Sequence, residues 1–149
     1  MSFTFRSPKT VSKSDLNNRK TLYGGRLLSW IDEDCFLYCI AQMQTASIVI
    51  KYISPMNFLS PVYAGDIIEI GVDTVKVGKA SLTVRCLVRH KETRKPIIEI
   101  DELVFVAVDA AEKPMPHARS FEKRPKNETV AAEKIRADTE TVMRKALSF

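Results

Sequence analysis

The chain has 149 residues, of which 45% are hydrophobic and 28% charged, the make-up of one globular domain with apolar mass for a single core. No apolar run approaches the roughly 18 residues that a bilayer-spanning helix needs, so no membrane segment is expected. The formal net charge of +5 favours anionic partners, whether nucleic acid, a membrane surface or a phosphorylated small molecule, without choosing among them.

The amino terminus, Met1 to Pro8, lacks the basic-then-apolar layout of a secretory signal, so a cytoplasmic location is expected. Lys9 to Ser14 predicts a short first strand at a sheet edge. The loop that follows is rich in Asp and Asn, which suit turns and caps. It leads to Tyr23-Gly24-Gly25, where the backbone can bend sharply and approach other groups closely.

The spacing predicts one helix over 25–46. Leu27, Leu28, Trp30, Ile31, Cys35, Phe36, Leu37 and Tyr38 are spread around its circumference, which predicts burial on nearly every side. Three adjacent acids in such a helix are unusual. Asp32, Glu33 and Asp34 point in directions about 100° apart, so they cannot share one environment. Asp32 falls on a stripe with Leu28, Cys35 and Cys39. An acid there must be solvated by a cleft, paired, or functional. The plainer alternative is that all three acids line a solvated edge.

The three cysteines, Cys35, Cys39 and Cys86, are an odd count and suggest no disulfide framework. With His90 and His117 as the only histidines, no metal site is expected, and the thiols read as buried and reduced.

Strands follow at 47–53, 66–77, 81–90 and 97–108. The first is β-branched and apolar. The Pro55–Pro61 interruption after it is expected to return Phe58 and Leu59 to the core. Ala64-Gly65-Asp66 is a turn, Gly78-Lys79 a hairpin-like connection, and Lys91 to Pro96 a charged turn. Leu82, Val84, Cys86 and Val88 alternate onto one face, as do Leu103, Phe105, Ala107 and Asp109. A long helix and then long strands with short connections predict an α+β fold with an antiparallel sheet packed against the helix. Parallel pairing would need crossover helices, and none fits between Ser47 and Asp109.

Residues 110–149 read as a separate extension to a domain at 1–109. An irregular loop over 112–127 holds Pro114, Pro116 and Pro125, and a helix capped at Asn127–Thr129 runs to about Leu147. This zone carries nine Lys/Arg and six Asp/Glu. A solvated peripheral helix is the plain reading of it, and a nucleic-acid or subunit contact the sharper one.

Four blocks resemble one family. Asp15, Asn17, Tyr23, Gly24 and Gly25, with an acid seven positions on at Asp32, resemble the opening motif of the hotdog-fold acyl-CoA thioesterases, the group of brain acyl-CoA hydrolase and its short bacterial relatives. Phe58-Leu59-Ser60-Pro61-Val62-Tyr63-Ala64-Gly65-Asp66, Val77-Gly78-Lys79-Ala80-Ser81-Leu82 and Val104-Phe105-Val106-Ala107-Val108-Asp109 resemble its later loop, turn and last strand. The four stand in order and at the right spacing over about residues 15–109. One departure stands out: the family's third glycine, between the Asn and the glycine pair, is Lys20 here, which puts the path of that loop in question.

The resemblance implies a hotdog fold, with a long helix wrapped by the sheet, and hydrolysis of acyl-CoA to fatty acid and coenzyme A. Such chemistry needs an activated water and donors facing the carbonyl oxygen. Glycines at a helix start offer close backbone approach and free N–H groups. The implied roles are thioester polarisation by Gly25, with Gly24; general base, or nucleophile, by Asp32; and water or carbonyl binding by Asn17. Gly78, Lys79 and Ser81 are implied near the coenzyme A tail, with Arg89 or His90 as weaker candidates. No cofactor is expected, coenzyme A being part of the substrate. The site is implied to lie between two chains, with a homodimer as the minimum and a hexamer, a trimer of dimers, as the assembly. A hydroxyacyl dehydratase on the same fold would want a histidine at the helix, which neither His90 nor His117 offers in sequence. The remaining alternative is a non-catalytic acyl-CoA-binding or basic interaction module using residues 110–149.

Overall fold

The computed structural model describes residues 3–118. The expected helix is α1, Gly24–Met43. It stops short of residue 46 because Gln44 turns left-handed, with φ 55°, and donates its N–H to the Ile40 carbonyl at 2.8 Å, closing the last turn.

Three long strands form the body of one antiparallel sheet: β5 (Ile67–Val77), β6 (Ser81–His90) and β7 (Pro96–Ala107). Beyond β7 lies β3 (Ile48–Ile53), and the short β4 (Asn57–Phe58) pairs with β7 nearer its start. On the other side, β1 (Thr4–Phe5) and β2 (Lys9–Thr10) both pair with β5. The expected first strand is thus cut short. The Ser12 N–H and hydroxyl each donate to Asp15 Oδ2 at 2.9 Å, and that capping box winds Lys13–Asp15 into a 3-10 turn. β1 has no apolar alternation to announce it.

The core lies between one face of α1 and the inner face of the sheet. Leu27, Ile31, Cys35, Tyr38 and Cys39 meet Ile70, Val72, Leu82, Val84, Cys86, Val88, Ile100 and Phe105, all buried. On the outer face, Arg85 pairs with Asp73 at 2.8 Å and Arg89 with Glu69 at 2.6 Å. Their guanidinium groups lie over the Phe3 and Phe5 rings, 4.3 and 3.8 Å from the centroids. β1 is held down by these contacts.

Two expectations need correction. The helix is not buried on nearly every side: Gly25, Leu28, Ser29, Asp32, Glu33 and Leu37 are exposed, because a single sheet covers only one side of it. Asp32 accordingly parts from Cys35 and Cys39, which are sealed in the core. Phe58 and Leu59 do not return to the core but remain 54% and 52% exposed, since the two-residue β4 lies on the sheet rim. Met115 N–H donates to the Ala107 carbonyl at 2.9 Å and His117 N–H to that of Lys79 at 3.2 Å, so the chain stays bonded to the sheet as far as His117. The helix expected from 127 to 147 lies outside the described residues.

Candidate active site

The polar loop ahead of α1 is a chain of side-chain clasps. Asp15 is buried. One carboxylate oxygen takes the two Ser12 donors, the other lies 3.3 Å from Arg26 Nε, and its backbone carbonyl accepts the Tyr23 N–H at 2.8 Å. Asp15 therefore ties the loop's start to the first turn of the helix. The Ser12 backbone N–H holds the Asp15 carboxyl below the usual carboxylate range, against the opposing effect of burial, with the Ser12 hydroxyl and the Arg26 charge adding to the lowering.

Asn17 closes the next turn. Its Oδ1 accepts from the N–H of Arg19 at 2.9 Å and of Thr21 at 3.2 Å, and its Nδ2 donates to Thr21 Oγ1 at 3.0 Å. An amide side chain bonding the backbone two residues on is a turn former in its own right. Lys20 has φ 61°, the left-handed conformation that glycine adopts freely. The loop thus bends at the position where the resembling family has glycine, with a lysine carrying the strain.

At the start of α1 no side chain caps the helix, and the Tyr23 carbonyl accepts from the N–H groups of Arg26 and Leu27 at 3.0 and 3.1 Å. The first-turn amides of Gly24 and Gly25 come ahead of these. Both glycines are sites of close approach. A Cβ on Gly25 would stand 2.6 Å from the Tyr23 ring, and one on Gly24 would touch the Phe58 ring at 3.4 Å. Two aromatic rings therefore lie against the bare helix end.

Asp32 stands seven residues beyond Gly25, close to two turns, so both look out from one face, about 10 Å apart along the axis. Asp32 is exposed, and among the described residues no hydrogen bond or ion pair holds its carboxylate. The other two acids differ. Glu33 is exposed, whereas Asp34 packs against the sheet edge 3.3 Å from Lys9 Nζ. Burial pushes the Asp34 carboxyl above its ordinary value, and the Lys9 charge offsets part of that rise. The three acids thus occupy three environments, as their angular spread requires. A cavity of about 250 Å³ opens beside the glycine pair, lined by Thr21, Leu22, Leu27, Phe58, Ser60 and Ile97 among others; Asp32 lies outside its walls.

Gly78, Lys79 and Ser81 form the β5–β6 turn, closed by Gly78 N–H donating to the Ser81 carbonyl at 2.9 Å. The turn does not meet the glycine pair within one chain. Phe58, which covers Gly24, pairs with Ile98, and Ile98 pairs with Val88; Ser81 pairs with Val106 at the far end of the same ladder. From Ser81 to Arg89 the strand rise amounts to roughly 27 Å. Arg89 is thus remote from the turn, and its guanidinium is held by Glu69 and Phe5 on the outer face. The structure brings Asp32 onto one helix face with Gly25, groups Gly78, Lys79 and Ser81, and leaves these two sets apart.

Cys35, Cys39 and Cys86 are free and buried. A hydrogen bond with Cys86, with burial adding, raises the Cys35 thiol well above its ordinary range, and burial raises Cys39 likewise. All three are core groups, and Cys35 and Cys39 are held in the protonated form. Sequence reasoning gave no task to Asp15, although Ser12-x-x-Asp15 is a legible capping pattern. It gave none to His117 either, for which a lone histidine after Pro116 offers no signal.

A sequence model described as the thioesterase superfamily matches residues 19–97, just over half of the chain. The chain belongs to the thioesterase superfamily. The match runs from the clasped loop through α1 to the start of β7, and so contains the glycine pair, Asp32 and the Gly78–Ser81 turn. Among superfamily relatives, the uncharacterized acyl-CoA thioester hydrolase YkhA of Bacillus subtilis (strain 168) is 30% identical over 112 residues, which are 70% of this chain and 62% of that protein. The match thus spans less than two thirds of that relative's length. The hexameric thioesterase y2039 from Yersinia pestis has a similar structure at 26% identity and a TM-score of 0.71, over 78% of this chain and 97% of that one. An apo-hexameric acyl-CoA thioesterase is 27% identical with a TM-score of 0.68, over 97% of this chain and 93% of that one. The helix wrapped by an antiparallel sheet is the hotdog arrangement of this superfamily. No helix among the described residues is long and apolar enough to cross a membrane.

Proposed function

We propose that this chain is an acyl-CoA thioesterase, which hydrolyses the thioester to a free fatty acid and coenzyme A. One observation carries the reading: an exposed, unengaged carboxylate, Asp32, shares a helix face with the bare amides at Gly24 and Gly25. Asp32 takes a proton from water as its oxygen adds to the thioester carbonyl carbon. The oxyanion that forms is met by the Gly25 N–H, with that of Gly24. Collapse expels the coenzyme A thiolate, which recovers the proton. No cofactor enters this scheme.

The geometry also argues that one chain is not enough. The first-turn N–H groups point out of the helix along its axis, away from Asp32, which lies about 10 Å in the other direction, so a carbonyl held by them is turned away from the carboxylate of the same chain. Two α1 faces set against each other supply Asp32 from one chain and the glycine pair from the other. A homodimer is therefore the minimum, and the likeness to hexameric thioesterases supports a hexamer, a trimer of dimers. Leu28, Leu37, Ile50, Tyr52 and Ile53, all exposed apolar groups on the helix face and the β3 edge, give such contacts their surface. Asn17 keeps a second Nδ2 proton beyond its bond to Thr21, enough to orient the water.

Gly78, Lys79 and Ser81 receive the phosphates of coenzyme A, again from a second chain, because they are a sheet's length from their own glycine pair. Arg89 has no part in this scheme while Glu69 holds it. A thiolated metabolite as substrate fits a cytoplasmic protein. The test is free-thiol release from acyl-CoAs of increasing chain length by the full-length protein. Turnover is expected on at least part of the series, and no thiol release at any length overturns the reading.

A further inference from the structure

We propose that His117 is a positioning residue for coenzyme A, acting through the Gly78–Ser81 turn. This rests on the reading that the turn faces coenzyme A. After β7 the chain reverses at Asp109, whose Oδ1 accepts from the N–H groups of Ala111 and Lys113 at 2.8 and 2.9 Å. The returning segment pairs Pro114 with Val108 and ends against the turn. There, three successive turn carbonyls are taken. That of Lys79 accepts from His117 N–H at 3.2 Å, that of Ala80 from Ala107 N–H at 2.8 Å, and that of Ser81 from both Gly78 N–H and His117 Nε2, each at 2.9 Å. The carbonyl only accepts, so Nε2 carries the proton of that bond.

His117 is 2% exposed, while Lys79 at the tip is exposed. A buried imidazole therefore braces the turn from behind. In a trans peptide the C=O and N–H point in opposite directions. Pinning the Lys79 carbonyl toward the strap therefore aims the Ala80 N–H away from it, on the side of the Lys79 tip. An amide and an ammonium presented together suit a phosphate oxygen. The two ends of the turn lie close together, since a Cβ at Gly78 would meet the Ser81 hydroxyl. Without the Nε2 bond the returning segment loses its side-chain anchor at Ser81, and with it the firm seat of the backbone N–H that pins the Lys79 carbonyl, so the donor pair loses its aim.

The experiment compares two thioesters that share an acyl group: an acyl-CoA, and the same acyl group on N-acetylcysteamine, which has no phosphate. His117→Leu is expected to raise KM for the acyl-CoA about threefold to tenfold, the worth of one hydrogen bond, with kcat held. The kinetics on the truncated thioester stay unchanged. His117→Gln, which keeps an N–H donor, brings KM back toward wild type. His117→Asn, too short to reach the Ser81 carbonyl, behaves like His117→Leu and serves if the latter does not fold. Calorimetric affinity for free coenzyme A is expected to fall in the same order, independently of turnover. Equal losses on both thioesters, or no change on either, overturn the proposal. Lys79→Ala separates it from its premise. A KM response to Lys79→Ala with none to the His117 variants overturns the His117 role alone. A silent Lys79→Ala removes coenzyme A from the turn, and the proposal with it.

Discussion

At the scale of single residues, the loop before the helix shows how a motif outlives one of its members. Lys20 keeps the left-handed bend that a glycine would supply, at a cost of about 1–2 kcal/mol for a side-chain-bearing residue. Part of that returns through the unfolded state, where glycine is the freer chain. Lys20→Gly is therefore expected to stabilise the protein by roughly 0.5–1 kcal/mol in urea unfolding. A β-branched residue at the same position should destabilise it. The path of this loop was not legible in the sequence, since lysine announces no positive φ; only the clasp by Asn17 and Asp15 makes it affordable.

Asp15 carries a pH signature. Its folded carboxyl titrates below the ordinary value, chiefly through the Ser12 N–H bond, so the folded state holds fewer protons than the unfolded one as pH falls through this range. The stabilisation is complete above the unfolded value of about 3.9 and is lost as pH drops through the lower, folded one. Asp15→Asn should therefore cost on the order of 1 kcal/mol near neutrality, as capping losses do, and flatten the acid limb of stability below about pH 4. Urea midpoints across that range test it.

At the scale of elements, α1 has two faces that its composition hides. Ile31 is 2% exposed and Leu28, three residues away, is 36% exposed. Ile31→Ala is expected to cost about 2–5 kcal/mol by emptying the core against the sheet. Glu33→Ala, on the outer face, should stay within about 0.5 kcal/mol. Both are read from denaturant midpoints. The four expected strands were legible almost to the residue, because alternation such as Leu82, Val84, Cys86 and Val88 admits one register against a core. The exposed half of α1 was not, because an apolar residue left exposed beside a single sheet looks the same in sequence as one facing that sheet. Phe58 and Leu59 misled for the same reason. The glycine pair and Asp32 were legible as a pattern seven residues apart. Their separation from the Gly78–Ser81 turn needed the strand register.

At the scale of the whole molecule, the proposed site's two halves sit at opposite ends of one sheet, and on one helix the Gly24 and Gly25 amides point away from Asp32. The proposed mechanism then depends on assembly. Ile53, 42% exposed at the free edge of β3, is a place to break that assembly without touching the core. Ile53→Glu should shift sedimentation toward smaller species and reduce thiol release in proportion. A variant that is dissociated yet fully active would refute the two-chain site.

The most direct test is the thiol-release rate of Asp32→Asn, read beside its thermal midpoint. Because Asp32 is exposed and unengaged, the midpoint should stay near that of the wild type, while kcat on acyl-CoA falls by at least about a hundredfold. Wild-type turnover in that variant would remove the carboxylate from the chemistry and contradict the mechanism.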